Sequence, residues 1–242
     1  MRKPKMILFD YGQTLVAEQA FDGLRGTQAV MGYALRNRYG YTAQQVQAEA
    51  EQINLDLGRA DPETRHLRQV EVPNHMFTSF LYQSMGIELS LTPSQTDRVF
   101  WDAASPGKPT EGIEDFLRFL QERGIRTGVI SNITYCGEVV CERIHRLLPE
   151  NHFEFILPSS EYLFRKPHSR IFRLALEKAQ LPPEDVWYIG DNYNCDVVGA
   201  QAAGLYPVWY TGATEAPPVR TDVLTVNDWD ALRALLEQMP DL

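Results

Sequence analysis

Met6-Ile7-Leu8-Phe9-Asp10-Tyr11-Gly12-Gln13-Thr14-Leu15 is the stretch on which the reading of this chain turns. Its four leading apolar residues suit a short strand buried on both faces, so Asp10 stands where that strand ends. In an open parallel sheet, ligands gather at the carboxyl ends of strands, where loops and helix N-termini offer backbone N–H groups to anions. Asp10 is therefore placed as a nucleophile or a metal ligand. An Asp after an apolar run also serves as a turn residue or helix N-cap, and the decapeptide taken alone leaves both readings open.

Three segments farther along favour chemistry. Thr127-Gly128-Val129-Ile130-Ser131-Asn132 is a second apolar strand, ending in a hydroxyl and an amide. Arg165-Lys166-Pro167 sets a lysine just ahead of an amphipathic stretch, Ile171 to Ala179. Val186-Trp187-Tyr188-Ile189-Gly190-Asp191 ends a third strand in a carboxylate, and Asp196 follows. Two strand-end carboxylates, a hydroxyl, a cation and a further acid form the inventory of a phosphoryl-transfer centre using Mg²⁺. Taken singly, Ser131-Asn132 reads as a turn, Lys166-Pro167 as a solvated helix start, and Asp196 as an acid at the positive end of a helix over Val197–Ala203.

With these segments in this order, the chain resembles the haloacid dehalogenase-like hydrolase superfamily. Asp10 to Thr14 stand for its first motif, Ser131-Asn132 for the second, Lys166-Pro167 for the third, and Gly190-Asp191 to Asp196 for the fourth. The resemblance spans the whole chain and implies a doubly wound, Rossmann-like α/β fold. It implies that Asp10 attacks phosphorus to form an aspartyl-phosphate that water then hydrolyses. Mg²⁺ would be held by Asp10, the Gly12 carbonyl and Asp191, with Asp196 as a ligand of metal-bound water or an orienting group. Ser131 and Lys166 would serve catalysis and hold the phosphoryl oxygens. Thr14 and Asn132 would support the loops around a small phosphorylated substrate.

One position departs from that pattern. Phosphatases of the family carry a second Asp two residues after the nucleophile, to protonate the leaving oxygen and later activate water; here that residue is Gly12. Loss of a general acid–base group removes about 10²–10⁴-fold in rate. The departure suits a slow phosphatase, a substrate whose leaving group needs no proton, an acid supplied from elsewhere, or a phosphate-binding or protein-interaction module. Dehalogenases also lack that Asp, but they lack the first metal-binding Asp of the fourth motif too, and this chain keeps Asp191. Phosphonatases use a cap lysine as a Schiff base, and there is no lysine between Val16 and Gly107. A metal-dependent phosphohydrolase with an altered acid step is the expectation.

The chain's 242 residues and 44% hydrophobic content suit one substantial core and a smaller one. From Gly112 onward helices alternate with strands expected at Arg126–Ser131, Phe153–Leu157, Val186–Gly190, Pro207–Tyr210 and Val223–Val226, as in a parallel sheet covered on both faces. Residues 1–15 and 107–242 would form that core. Residues 16–106 read as an inserted helical cap, with helices over Gly26–Arg38, Thr42–Leu57, Asn74–Met85 and Pro93–Ala103 and no strand between Leu15 and Arg126. Within it, Arg65-His66-Arg68 with His75 could contact an anionic substrate or replace the absent acid, or form an ordinary solvated face. Phe77, Phe80, Tyr82, Phe100 and Trp101 have the spacing of core packing.

A formal charge of −9 and a pI near 5.1 oppose attraction to nucleic acid or an anionic membrane. No segment approaches the ~20 apolar residues that span a bilayer, and the run after the basic start is too short for a signal peptide. Cytoplasmic residence is the simplest expectation. Three cysteines, Cys136, Cys141 and Cys195, without a Cys-x-x-Cys pair indicate neither a disulfide framework nor a zinc site.

Overall fold

The computed structural model describes residues 2–58, 69–213 and 220–240. Strand β1 (Met6–Phe9) is followed by a short β2 (Val16–Glu18) and then by α1 (Gly23–Met31), β3 (Ala34–Asn37), α2 (Ala43–Asp56), α3 (Asn74–Ser84), β4 (Ile87–Leu89) and α4 (Pro93–Ala104). Strand β5 (Gly107–Pro109) leads into α5 (Ile113–Glu122), β6 (Arg126–Ser131), α6 (Gly137–Leu147), β7 (Ile156–Pro158) and the single turn α7 (Ser159–Tyr162). The chain closes with α8 (Ser169–Ala179), β8 (Val186–Gly190), α9 (Gly199–Ala202), β9 (Tyr206–Tyr210), β10 (Leu224–Val226) and α10 (Trp229–Gln238).

Six strands form one parallel sheet in the order β10-β9-β8-β1-β6-β7. Strand β1 lies between β6 and β8, with Phe9 opposite Val129 on one side and Ile189 on the other. Side chains alternate across a strand, and β1 shows what that does here. Ile7 and Phe9 enter a cluster with Phe116 and Leu120 of α5, Val140 and Ile144 of α6, and Trp229 and Leu232 of α10. Met6 and Leu8 enter the opposite cluster, with Ile171, Phe172 and Ala175 of α8 and Ala200 of α9. Helices cover both faces, so this is the doubly wound α/β architecture expected of the sequence.

The segment between β1 and β6 differs from its all-helical expectation. A helix over Gly26–Arg38 is not formed: α1 stops at Met31, Gly32 caps it, and Ala34–Asn37 pairs antiparallel with Ile87–Leu89. That pairing joins residues some fifty positions apart, and local periodicity carries no trace of such a partner. Strands β2 and β5 also pair antiparallel, Val16 with Pro109 and Glu18 with Gly107. The other three helices run close to their expected bounds. The segment has its own cluster of Val30, Val46, Leu81, Tyr82, Met85 and Ile87, with Phe77 and Phe100 packed against it; Trp101 joins the main core, and Phe80 is exposed. Glu71 fastens the segment to the main sheet's side: its buried carboxylate accepts from Ser159 Oγ at 2.6 Å and pairs with Arg165, next to Lys166. His66, Arg65 and Arg68 lie outside the described residues.

Later strands follow the sequence closely, with β6 and β8 at the expected bounds. Regular β7 begins only at Ile156, yet Glu154 N already donates to Thr127 O and Val129 N to Phe155 O. The helix expected over Val197–Ala203 starts instead as a wide π-type turn over Tyr193–Val198 before continuing as α9.

Candidate active site

Asp10, at the end of β1, and Asp191, at the end of β8, leave neighbouring strands at the same edge of the sheet. Asp196 joins them from the π-type turn: each of the three residues offers a carboxylate oxygen, and these oxygens lie within 4.8 Å of one another. The approach of Asp196 depends on Gly190, because a Cβ there would fall 2.3 Å from Asp196 Cγ. Asn192 N, 2.9 Å away, donates to Asp196 Oδ2.

Lys166 holds this group. Its Nζ lies 2.8 Å from Asp10 Oδ1, 2.6 Å from Asp196 Oδ1 and 2.6 Å from the Tyr188 hydroxyl, and its side chain is 1% exposed. An ammonium has three N–H donors, and all three are engaged. Lys166 is thus first a counter-ion to Asp10 and Asp196; the phosphoryl contact expected of it competes with these bonds. Asn132 fixes the lysine backbone from both sides, Nδ2 donating to Lys166 O at 2.8 Å and Oδ1 accepting from Lys166 N at 2.7 Å. The Lys166–Pro167 peptide is cis. Tyr188, which the sequence reading passed over as one more residue of a buried strand, completes the cluster by donating to Ile130 O.

Three carboxylates against one ammonium leave surplus negative charge when all are ionised. Burial, then repulsion from Asp10 and Asp196, pushes the Asp191 carboxyl up to about 8. Burial also raises Asp196, to about 6, against the pull of Lys166. Burial disfavours the Lys166 ammonium, but Asp10 and Asp196 outweigh it and hold the amine above its ordinary range. A hard divalent cation with oxygen ligands is the natural complement of such a donor set. Asp10, Asp191 and Asp196 fit it.

Of the other expected residues, Ser131 ends β6, the neighbour of β1, at the same sheet edge. Gly12 lies in the loop after Asp10 and is bridged to Val16. Thr14 is buried but does not brace the loop through its hydroxyl, which has no hydrogen-bond partner; its carbonyl accepts from Thr110 Oγ1 instead. His75 borders a groove with Ser94, Cys136 and Glu161, whose lining includes none of Asp10, Lys166 or Asp191.

A second charged cluster lies on the other side of the Asp10 loop, and nothing local in the sequence marked it. Arg143 of α6 is buried and donates from Nε to the Tyr11 hydroxyl at 2.8 Å, from Nη1 to Asp102 Oδ1 at 2.7 Å, and from Nη2 to Ser105 O and to Glu18 Oε1, the last at 3.3 Å. Trp101 Nε1 also donates to Glu18 Oε1, at 2.9 Å. Burial raises the Glu18 carboxyl, Arg143 and Trp101 oppose that rise, and the charge of Asp10 adds to it.

Comparison with known proteins shows the family of the chain. The family model of haloacid dehalogenase-like hydrolases matches residues 4–204. Haloacid dehalogenase-like hydrolase domain-containing protein 3 of Homo sapiens is 37% identical over 112 residues, 46% of this chain and 43% of that protein. Glyceraldehyde 3-phosphate phosphatase of Pyrococcus furiosus is 31% identical over 99 residues, 41% of this chain and 40% of that one. The chain thus spans under half the length of these curated relatives. Among solved structures, 2-haloacid dehalogenase from Pseudomonas syringae pv. Tomato DC3000 shares the fold, with a TM-score of 0.66 at 20% identity over 97% of this chain and 99% of that one. With its four motifs gathered at one sheet edge and its family matched over most of its length, the chain belongs to the haloacid dehalogenase-like hydrolases.

Proposed function

We propose that the protein is a Mg²⁺-dependent phosphohydrolase of small phosphorylated metabolites, with Asp10 as nucleophile and residues 16–106 as a cap over the site. The observation that carries this reading is the carboxylate group of Asp10, Asp191 and Asp196, in which Lys166 pairs directly with two members and only partly offsets the burial and repulsion that raise Asp191. A phosphatase among the relatives supports the reaction class. Asp191, Asp196, Asp10 and the Gly12 carbonyl would hold the metal, which when bound would offset the charge of a transferring phosphoryl group.

The side chains divide the remaining work. Lys166 holds Asp10 by Oδ1, so that the other carboxylate oxygen is available to attack phosphorus. Asn132 keeps Lys166 in place. Ser131, at the end of the adjacent strand, donates to a phosphoryl oxygen, the kind of preorganised contact that lowers the barrier most. Displacement of the leaving alkoxide gives an aspartyl-phosphate on Asp10, and attack of water at phosphorus returns the carboxylate and frees phosphate.

Phosphate release from p-nitrophenyl phosphate, acetyl phosphate and a sugar phosphate, with and without Mg²⁺, tests the reading. Release that needs Mg²⁺ and falls by on the order of 10⁴-fold or more in Asp10→Asn is expected. The absence of an acid at position 12 favours one second reading, a phosphate-binding or protein-interaction module. Tight binding of phosphate with no turnover of any ester would establish that reading instead.

A further inference from the structure

We infer that Glu18 is the general acid–base residue of this site, supplying from strand β2 the carboxylate that position 12 lacks. The inference rests on the phosphohydrolase reading. Its ground is geometric. A Cβ built on Gly12 would lie 3.7 Å from Glu18 Oε2, an ordinary contact and the nearest atom it would meet. Glu18 Oε2 therefore borders the space that an aspartate side chain at position 12 would fill, two residues after the nucleophile.

The two carboxylate oxygens of Glu18 have different surroundings. Oε1 accepts from Trp101 Nε1 and Arg143 Nη2, whereas Oε2 takes part in neither bond and is turned toward Gly12. A glutamate serving only as a counter-ion for Arg143 has no need of this arrangement, since Asp102, the Tyr11 hydroxyl and Ser105 O already engage that guanidinium. The side chain is 19% exposed, open enough to reach a substrate. The charged and titratable groups around it are Arg143 of α6, Tyr11 and Asp10 of the loop after β1, and Asp102 of α4.

The proton balance is complete. As Asp10 forms its bond to phosphorus and the bond to the leaving oxygen breaks, the proton on Glu18 passes to that oxygen, giving the alcohol and the Glu18 carboxylate. In the second step, the carboxylate takes a proton from the attacking water. The new P–O bond forms, the Asp10–phosphorus bond breaks, and Glu18 is again protonated.

The test is a leaving-group series, from p-nitrophenyl phosphate to unactivated alkyl phosphates, on the wild type, Glu18→Gln, and Glu18→Gln combined with Gly12→Asp. Glu18→Gln is expected to lower kcat/KM by about 10²–10⁴-fold on alkyl esters and by a far smaller factor on the aryl ester, which steepens the dependence on leaving-group pKa. Gly12→Asp, for which the backbone leaves room, should flatten it again. A parallel fall on every ester, or no fall, overturns the inference while the phosphohydrolase reading stands. A wild type with no Asp10-dependent release from any ester overturns both.

Discussion

Two buried cations flank the loop that follows β1, and they are buried for different reasons. Lys166 of the third-motif segment binds Asp10 of the first, Asp196 of the fourth and the Tyr188 hydroxyl of β8, and its own backbone is clasped by Asn132 of the second. Arg143 binds Tyr11, Asp102, Glu18 and the Ser105 carbonyl, groups drawn from the first-motif loop, from α4 and the residue that caps it, and from β2. The lysine centre organises the Asp10 carboxylate. The arginine centre joins the inserted segment to that carboxylate's loop. A site of this kind needs both, because a charge placed for chemistry must be neutralised from one side and kept in register from the other.

The sharpest way to break the comparison is to remove each cation in turn. Lys166→Met strands the buried Asp196 and the largely buried Asp10 and should cost about 3–5 kcal/mol in urea unfolding; Arg143→Met leaves the part-exposed Glu18 and Asp102 to solvent and should cost less. Their kinetics should part. Lys166→Met should lose on the order of 10²–10³-fold on aryl and alkyl phosphates alike, whereas Arg143→Met should lose mainly the alkyl esters that depend on Glu18. Identical leaving-group profiles would merge the two centres into one.

A middle-sized effect concerns the lysine centre alone. Asp191 and Asp196 have folded-state pKa values above the ordinary 3.8, at about 8 and about 6. The folded protein therefore binds more protons than the unfolded chain between about pH 4 and pH 8, and stability falls as pH rises through that window. Without Mg²⁺, Tm should drop by roughly 5–15 °C between pH 5 and pH 8. Mg²⁺ should raise Tm more at pH 8 than at pH 5. A flat Tm across that range would show that Lys166 already neutralises the whole group. The smallest effect belongs to the arginine centre: Trp101→Phe deletes one hydrogen bond to Glu18 and should slow alkyl phosphate release by about 3–10-fold.

Most of the lysine centre was legible because Asp10, Asp191 and Lys166 stand at a strand end or just before a helix, where residue type and local pattern coincide. Asp10, Ser131 and Asp191 follow apolar runs whose bounds the structure matches almost residue for residue. Tyr188 was missed inside one of those runs, although a hydroxyl among Val186, Trp187 and Ile189 was a visible signal. The arginine centre was not legible. Arg143 meets Tyr11 from 132 residues away and Glu18 from 125, and no local period encodes such a meeting. The β3–β4 pairing escaped for the same reason.

The pairing of β2 with β5 has a consequence for how the chain folds. Strand β1 must find β6 across the whole inserted segment, and closing a free loop of roughly 90 residues costs about 4 kcal/mol in chain entropy. Once Val16 lies against Pro109 and Glu18 against Gly107, the segment between them no longer enters that cost, and the sheet closes as though β1 and α5 were joined by a tight turn. The same short-circuit lets the insertion change in length or sequence with little penalty to the sheet, provided the two strands at its base still meet.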